Sequence, residues 1–272
     1  MTRLGLVQTN SGIDPLANAE MLKDGVAKLA AEGAEIVFTP EMSGLLDRNR
    51  ARAEQVIRTE DDDIVLAAMQ DASRQHGVWI ALGSLAIRTP PHERLSNRSF
   101  LIDPRGEIVS RYDKIHLFDV DLGGGDKWQE SSAYRPGTNA VVAQTPAGRL
   151  GLSICYDIRF PRLYDALSEA GADLIAIPAA FTRPSGTAHW HILARARAIE
   201  NTAFVVAAAQ TGEHEDGRAT YGHSLVVDPW GKILLDMGEE PGTAICDIDL
   251  GQIDEIRRRL PSRDNRVHIE PI

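Results

Sequence analysis

The sequence predicts an α/β protein with a four-layer α-β-β-α sandwich built from two similar halves, each containing a mixed sheet. Two observations support this fold class. Short apolar runs alternate with longer stretches of helical periodicity, which is the pattern of layered α/β proteins. In addition, four segments of the first half recur in the same order in the second half. If each half forms one sheet with helices on one face, the two bare sheet faces must pack together.

The internal repeats define the predicted halves, at about residues 1–136 and 137–272. Segments 78–81 and 99–109 recur at 203–206 and 224–234, so both pairs are separated by the same 125 positions. The other two pairs are Arg3–Leu6 with Arg149–Leu152 and Gly33–Val37 with Gly171–Ile175. Apolar strands can resemble one another by chance, but the shared order and spacing favour a repeat. Since no Pro-, Ser- or Gly-rich linker separates the halves, we predict a single domain over 1–272.

Each predicted element has a local reason. Apolar residues at three- and four-residue spacing predict helices at 14–32 and 64–77, and the corresponding helices of the second half at 161–171 and 189–201. The Val-, Ile- and Leu-rich runs between them predict strands that are buried on both faces. The sequence Asp-Pro-x-Gly at 103–106 and 228–231 predicts tight turns that join strands as hairpins.

The composition excludes several classes of protein. The chain of 272 residues is 43% hydrophobic and 25% charged, which is typical of a globular protein. Its net charge of −10 argues against a nucleic-acid-binding protein, and its two cysteines are too few for a disulfide scaffold. No apolar run reaches the ~20 residues of a membrane helix. Because the first residues also lack a signal-peptide pattern, we expect a cytoplasmic protein that binds neither nucleic acid nor membrane.

Three reactive side chains follow predicted strands, where α/β proteins expose their functional groups. Cys155 ends the strand that begins near 149, Glu41 follows the apolar run at 36–38, and Lys114 follows the first hairpin. Each also has an ordinary interpretation, because cysteine is often a small buried hydrophobe and loop charges are usually solvated. If the halves stack symmetrically, Glu41 and Cys155 emerge at comparable sheet edges. This placement favours a thiol site with a neighbouring base.

Long motifs at ordered spacing run through the whole chain. They are Pro40-Glu41, Tyr112–Leu117, Cys155–Pro161, His189-Trp190, Arg195–Asn201 and Tyr221–Ser224. In these motifs the sequence resembles the nitrilase (carbon–nitrogen hydrolase) superfamily, and within it the Nit-type amidase branch, which includes deaminated-glutathione amidase and ω-amidase. The resemblance implies the same α-β-β-α sandwich, and a homodimer or higher homo-oligomer formed by packing sandwiches together.

The resemblance also implies a catalytic Glu-Lys-Cys triad, which corresponds to Glu41, Lys114 and Cys155. A second family glutamate near the site corresponds to Glu130, which would orient Lys114 or the substrate amine. Glu41 would serve as the base, and we expect burial to raise its pKa toward neutrality. Lys114 and the backbone N–H of Tyr156 would hold the oxyanion. No metal ion or organic cofactor is implied.

The implied substrate is a small carboxylate-bearing amide, namely deaminated glutathione or the ω-amide of a keto acid. Arg159 is a candidate to bind the substrate carboxylate, because a guanidinium binds a carboxylate in a bidentate fork. A structural ion pair of Arg159 with Asp157 or Glu200 is an equal alternative. Phe181 and His191 are two further candidates for substrate binding.

Several alternatives accompany this interpretation. A Cys-His site could use His116 or His223 in place of the triad. The substrate could be a nitrile or an N-carbamoyl compound, or the chain could be a non-catalytic member that keeps the fold and binds partners. Cys246 alternates with its neighbours as in a strand, so we take it as structural.

Two other segments resemble known metal-binding or phosphate-binding motifs but do not support either kind of site. His189 and His191 could suggest a metal pair, but positions i and i+2 of a helix do not face each other, and no carboxylate lies at ligand spacing on that helix. The triple glycine at 123–125 is followed by Asp-Lys-Trp in place of the P-loop sequence, so we expect a loop over the cleft and not a phosphate site.

Overall fold

The computed structural model describes residues 1–121 and 127–267. Within these ranges the chain forms six α-helices. They are α1 (Pro15–Ala31), α2 (Arg50–Val56), α3 (Ile64–His76), α4 (Pro161–Glu169), α5 (Arg183–Asn201) and α6 (Gly251–Arg259). None of these helices combines the length and the apolar character that a bilayer crossing requires.

The described strands form two six-stranded sheets and two short ribbons. The first sheet contains β1 (Thr2–Gln8), β2 (Ile36–Phe38), β3 (Trp79–Ile87), β4 (Ser96–Ile102), β5 (Ile108–Asp113) and β16 (Gly242–Ile248). One ribbon pairs β6 (Asp119–Asp121) with β7 (Lys127–Gln129). The second sheet contains β8 (Val141–Thr145), β9 (Gly148–Leu152), β10 (Leu174–Ala176), β11 (Phe204–Ala207), β14 (Leu225–Val227) and β15 (Ile233–Asp236). The other ribbon pairs β12 (Thr211–Glu213) with β13 (Ala219–Tyr221).

The two sheets have matching strand orders when the second is read from the edge at β8: β16-β1-β2-β3-β4-β5 and β8-β9-β10-β11-β14-β15. Both are mixed, because three central strands run parallel and the flanking strands pair antiparallel. The strand pairing differs from a strict division into one sheet per half, since β16 near the end of the chain pairs antiparallel with β1 at its beginning. The single domain and the half boundary near 136 stay predictions.

The alternation of side chains along the strands produces the four layers. In β2, Ile36 and Phe38 join the apolar core between the two sheets, whereas Val37 between them joins the core beneath α1 and α3. Leu22 of α1 and Met69 of α3 are fully buried in that outer core. On the other side of the molecule, buried residues of α4 and α5 belong to the core of the second sheet. The predicted α-β-β-α sandwich is therefore confirmed.

Helix caps and turns follow from local sequence. Asp14 and Asp63 accept hydrogen bonds from the first backbone N–H groups of α1 and α3, and α3 stops at Gly77, whose φ of 64° suits glycine. Helix α5 begins six residues earlier than predicted, with a proline in its first turn.

The two Asp-Pro-x-Gly turns have the same hydrogen bonds. In each turn the aspartate carboxylate accepts the backbone N–H groups two and four residues later, and the glycine has a φ near 80°. Both turns join neighbouring antiparallel strands, as predicted.

Candidate active site

The three predicted reactive residues lie at the ends of strands from both sheets. Glu41 follows β2, Lys114 follows β5 directly, and Cys155 comes three residues after the end of β9. All three are buried, with relative exposures of 5%, 2% and 7%. The sandwich therefore brings side chains that are 73 and 41 positions apart in sequence to one place between the sheets.

A buried ion pair and a second carboxylate form the centre of the site. The Lys114 Nζ donates to Glu41 Oε1 at 2.8 Å and to Glu130 Oε2 at 2.9 Å. Glu130 Oε2 also accepts the backbone N–H of Phe118 at 2.7 Å, and Glu41 Oε2 accepts the N–H of Ala180 at 3.0 Å. The ammonium is thus fixed between two carboxylates that the backbone itself orients.

Cys155 sits on a strained turn that directs it into the site. Its φ of 48° is in the left-handed region, which a residue with a side chain occupies at a cost, and its N–H donates to the carbonyl of Pro178 at 2.8 Å. Met42, the residue after Glu41, has a similar φ of 52°. The N–H of Tyr156 follows Cys155 in the first turn of a 3₁₀ helix, where backbone donors have few partners within the helix itself.

The surroundings decide the protonation states of these groups. Burial raises the pKa of the Cys155 thiol well above its ordinary value, and the negative charge of Glu41 raises it further. Burial acts in the opposite sense on Lys114, but the Glu130 and Glu41 carboxylates keep the pKa of its ammonium well above the ordinary value. At neutral pH the site therefore contains a protonated thiol beside a charged ammonium.

The expected rise in the pKa of Glu41 is wrong for the free protein. Burial alone would raise this pKa, but the charge and hydrogen bond of Lys114, together with hydrogen bonds from Cys155 and Asn97, hold it below the ordinary value. The reason is the short ion pair to Lys114, which the sequence could not reveal. Glu41 is consequently ionised and can accept a proton from the thiol, an arrangement suited to nucleophilic attack on a carbonyl carbon.

Asn97 is a further residue of the site, which the sequence motifs did not indicate. It lies in β4 with 1% exposure, and its Nδ2 donates to Glu41 Oε1 at 3.0 Å and to Glu130 Oε1 at 3.1 Å. Its backbone carbonyl also accepts the N–H of Lys114. The available signal was the polar run at 96–99, which begins a predicted buried strand, because a buried amide needs hydrogen-bond partners.

Both histidines of the alternative Cys-His site are paired with aspartates. His116 Nδ1 lies 2.7 Å from Asp157 Oδ1, and its ring stacks on Phe160 at 3.7 Å. His223 Nδ1 lies 2.8 Å from Asp236 Oδ1. The fully buried Asp157 also accepts the N–H of Ile154, so it fastens the turn that carries Cys155.

The reactive residues open into a cavity of about 970 Å³. Among the described residues, eight basic and five acidic side chains line it, although the whole chain has a net charge of −10. The basic residues other than Lys114 are Arg48, Arg50, Arg88, Arg94, Lys127, Arg183 and Arg218. The cavity wall is therefore more positive than the protein as a whole, which favours an anionic ligand.

The predicted substrate-binding residues differ in their placement. Phe181 lines the cavity, and its ring packs against Trp190 at 4.8 Å. Arg159 is outside the described lining, with its guanidinium over the ring of Phe181 and 3.2 Å from His189 Nδ1. His191 also lies outside that lining, because it faces Asp236 at 3.0 Å.

The two alternative partners considered for Arg159 are held by other groups. Asp157 accepts the N–H and the imidazole of His116, and Glu200 pairs with Arg197. The triple glycine, with the expected loop over the cleft, lies outside the described residues.

Comparisons with known proteins identify the family. The model of the family described as carbon-nitrogen hydrolase matches residues 3–258. A protein of Yersinia enterocolitica named deaminated glutathione amidase is 40% identical over 261 residues, which cover 95% of this chain and 90% of the relative.

Solved structures are similar over nearly the whole chain. The C. elegans NitFhit protein superposes with a TM-score of 0.91 at 36% identity, covering 97% of this chain and 65% of that longer one. A glutamate-to-glutamine variant of the amidase from Nesterenkonia sp. AN1, with acrylamide added at the active-site cysteine, superposes with a TM-score of 0.80 at 27% identity, covering 96% of this chain and 98% of that one. From the family match and these full-length similarities, the chain belongs to the carbon–nitrogen hydrolase family.

Proposed function

We propose that this protein is a thiol amidohydrolase, which cleaves the C–N bond of a small carboxylate-bearing amide through a cysteine thioester. The observation that carries the proposal is the convergence of an ionised carboxylate, an ammonium and a protonated thiol on one cavity. This set contains a base, a cation for the developing oxyanion and a nucleophile.

In the proposed acylation step, Glu41 takes the thiol proton while the Cys155 sulfur attacks the amide carbonyl carbon. The carbonyl oxygen becomes negative, and Lys114 Nζ and the Tyr156 N–H donate to it. Loss of one such donor typically costs about 3–4 kcal/mol of transition-state stabilisation. Glu41 then passes its proton to the nitrogen, the C–N bond breaks, and the thioester remains.

In the proposed hydrolysis step, Glu41 takes a proton from water, and the resulting hydroxide attacks the thioester carbon. The C–S bond breaks, the sulfur recovers its proton from Glu41, and the product leaves as a carboxylic acid, which passes its proton to the released ammonia or amine. Glu130 acts as a positioning residue in this scheme, because it holds Lys114 through two hydrogen bonds. All bonds and protons balance without any further reactant.

The positive cavity wall supports the carboxylate-bearing substrate. Arg48 and Arg183 both line the cavity, and within residues 1–121 and 127–267 the nearest ion-pair partner of Arg183 is Glu213, at 3.7 Å. These side chains are placed better than Arg159 to receive a substrate carboxylate. The names of the relatives point to the same class, so we propose deaminated glutathione or the ω-amide of a keto acid.

A substrate panel tests the proposed function. We expect 2-oxoglutarate to be released from α-ketoglutaramate, from deaminated glutathione, or from both. The other product is ammonia when the substrate is α-ketoglutaramate and cysteinylglycine when it is deaminated glutathione. Neutral amides without a carboxylate serve as matched controls and should react more slowly. Turnover of nitriles or N-carbamoyl amino acids, with no product from either oxo-acid amide, would move the protein to another branch of the family.

Replacing Lys114 and His116 separately distinguishes the triad from a Cys-His site. We expect Lys114→Ala to reduce kcat/KM by about 10²–10³-fold or more, because it removes an oxyanion donor. It also leaves Glu41 and Glu130 buried without their cation, which typically costs about 3–5 kcal/mol of stability, so the folded fraction is measured by circular dichroism. His116→Ala should affect turnover less, and the reverse order of effects would contradict the triad.

A further inference from the structure

A second cluster of metal-binding side chains lies outside the proposed active site. His191 on α5, His223 after β13 and Asp236 at the end of β15 place their ligand atoms within 4.8 Å of one another. The sequence argued against a metal at His191 because its helix offers no carboxylate at ligand spacing. The fold supplies that carboxylate from a strand 45 positions later.

The hydrogen bonds already turn both imidazole rings toward the same carboxylate. His191 Nε2 lies 3.0 Å from Asp236 Oδ2, and His223 Nδ1 lies 2.8 Å from Asp236 Oδ1. The backbone N–H of Gly238 donates to Asp236 Oδ1 at 3.0 Å, which is the kind of outer contact that orients a ligating carboxylate.

The backbone around His223 is held on two sides. Its N–H donates to the carbonyl of Gly238, and its own carbonyl accepts the Trp190 Nε1–H at 2.8 Å. The imidazole ring stacks on Tyr221, with the ring centroids 4.4 Å apart. Such fixed surroundings reduce the ordering that a ligand would have to impose.

From this geometry we propose that His191, His223 and Asp236 form a binding site for a divalent transition metal, with Zn²⁺ as the best-matched ion. Two imidazole nitrogens and one carboxylate oxygen are a donor set that Zn²⁺ accepts, with water completing the tetrahedron. The side chains are 28%, 20% and 33% exposed, so water can reach the open position.

Binding requires a small rearrangement of the three side chains. Bonds of about 2.0–2.1 Å in a tetrahedron place ligand atoms about 3.3 Å apart, so the two hydrogen-bonded contacts lengthen slightly as the ion replaces the shared protons. The imidazole protons then reside on His191 Nδ1 and His223 Nε2. None of the three residues is in the described lining of the catalytic cavity, so the proposed metal site does not depend on the proposed function.

Zinc binding by the full chain tests this proposal. The metal-free protein carries Cys155→Ser, because a thiol near a lysine can itself bind zinc. Equilibrium dialysis against Zn²⁺ with elemental analysis should give one ion per chain. Two variants, Asp236→Asn and His191→Ala, each remove a proposed ligand. Loss of a residue that only orients a ligand typically weakens metal binding by roughly 10–100-fold, so we expect each variant to weaken zinc binding by at least that much.

His189→Ala is the matched control, since His189 is exposed on the same helix and contacts Arg159. Introduced into the Cys155→Ser protein, this substitution should leave the zinc affinity of that protein unchanged. Circular dichroism checks that every variant is folded. The visible spectrum of bound Co²⁺ should indicate tetrahedral coordination in the Cys155→Ser protein. Absence of saturable binding, or equal zinc affinity in the Asp236→Asn, His191→Ala and His189→Ala proteins, would overturn the proposal.

Discussion

Cys155→Ala is expected to reduce hydrolysis of the amide substrate by at least about 10⁴-fold, because it removes the atom that would form the thioester. The substitution should leave the fold intact. Alanine has the same Cβ as cysteine, so the left-handed backbone at this position, with a φ of 48°, strains both residues equally. Steady-state kinetics with the responding substrate of the panel gives the ratio of kcat/KM.

Cys246→Ala is the matched control for that experiment. Cys246 is the other cysteine of the chain, it is also buried, and it lies in β16 opposite Leu4, away from the cavity lining that the structure describes. We expect this variant to keep its kcat/KM. Intact-mass analysis should detect an acyl adduct on the wild type and on Cys246→Ala but not on Cys155→Ala. Equal turnover by the wild type and by Cys155→Ala would refute the thiol mechanism. If the wild type and Cys155→Ala both bind the substrate but neither turns it over, the protein is a non-catalytic member of the family.

Glu41→Gln should separate thiol ionisation from catalysis. The negative charge of Glu41 helps to raise the pKa of Cys155, whereas the ammonium of Lys114 lowers it. When the carboxylate becomes an amide, the ammonium acts with less opposition, so the thiol pKa should fall. Turnover should nevertheless decrease by about 10²–10⁴-fold, because the base that moves the proton is absent.

The pH dependence of alkylation by iodoacetamide measures this effect. In the wild type the raised pKa of Cys155 places the midpoint of alkylation above that of a free cysteine, and the midpoint should shift to lower pH in Glu41→Gln. Glu20→Gln, at an exposed position of α1, controls for a change in total charge and should alter neither the midpoint nor turnover. An unchanged midpoint together with full activity in Glu41→Gln would show that Glu41 is not the base.

The fold was largely predictable because its determinants are local. Helix α1 follows from Asp14 as a cap and from apolar residues at helical spacing, and the two Asp-Pro-x-Gly turns repeat the same hydrogen bonds. The partner of β16 was not predictable in the same way. Its pairing with β1 joins residues more than 230 positions apart, and no local pattern encodes such a contact.

The candidate site was predictable in its residue types but not in its electrostatics. Glu41, Lys114 and Cys155 follow strands, and the motifs around them resemble one family, so the chain could be assigned from its sequence. The depressed pKa of Glu41 depends on a 2.8 Å contact with a lysine 73 positions later, and the role of Asn97 depends on contacts with two carboxylates. Such energies vary steeply with distance and burial, which sequence spacing does not specify.

By itself, the sequence determined the α/β layering, the strand-end positions of the reactive residues and the family to which the chain belongs, because each depends on periodicity or on contiguous motifs. Tertiary structure alone decided which charges meet. It placed Glu41 beside Lys114, which keeps the buried carboxylate ionised. It also left Arg159 outside the described cavity lining and brought Asp236 close to His191 and His223. The physical reason is that pKa values and ligand sets are set by distances between side chains that only folding brings together.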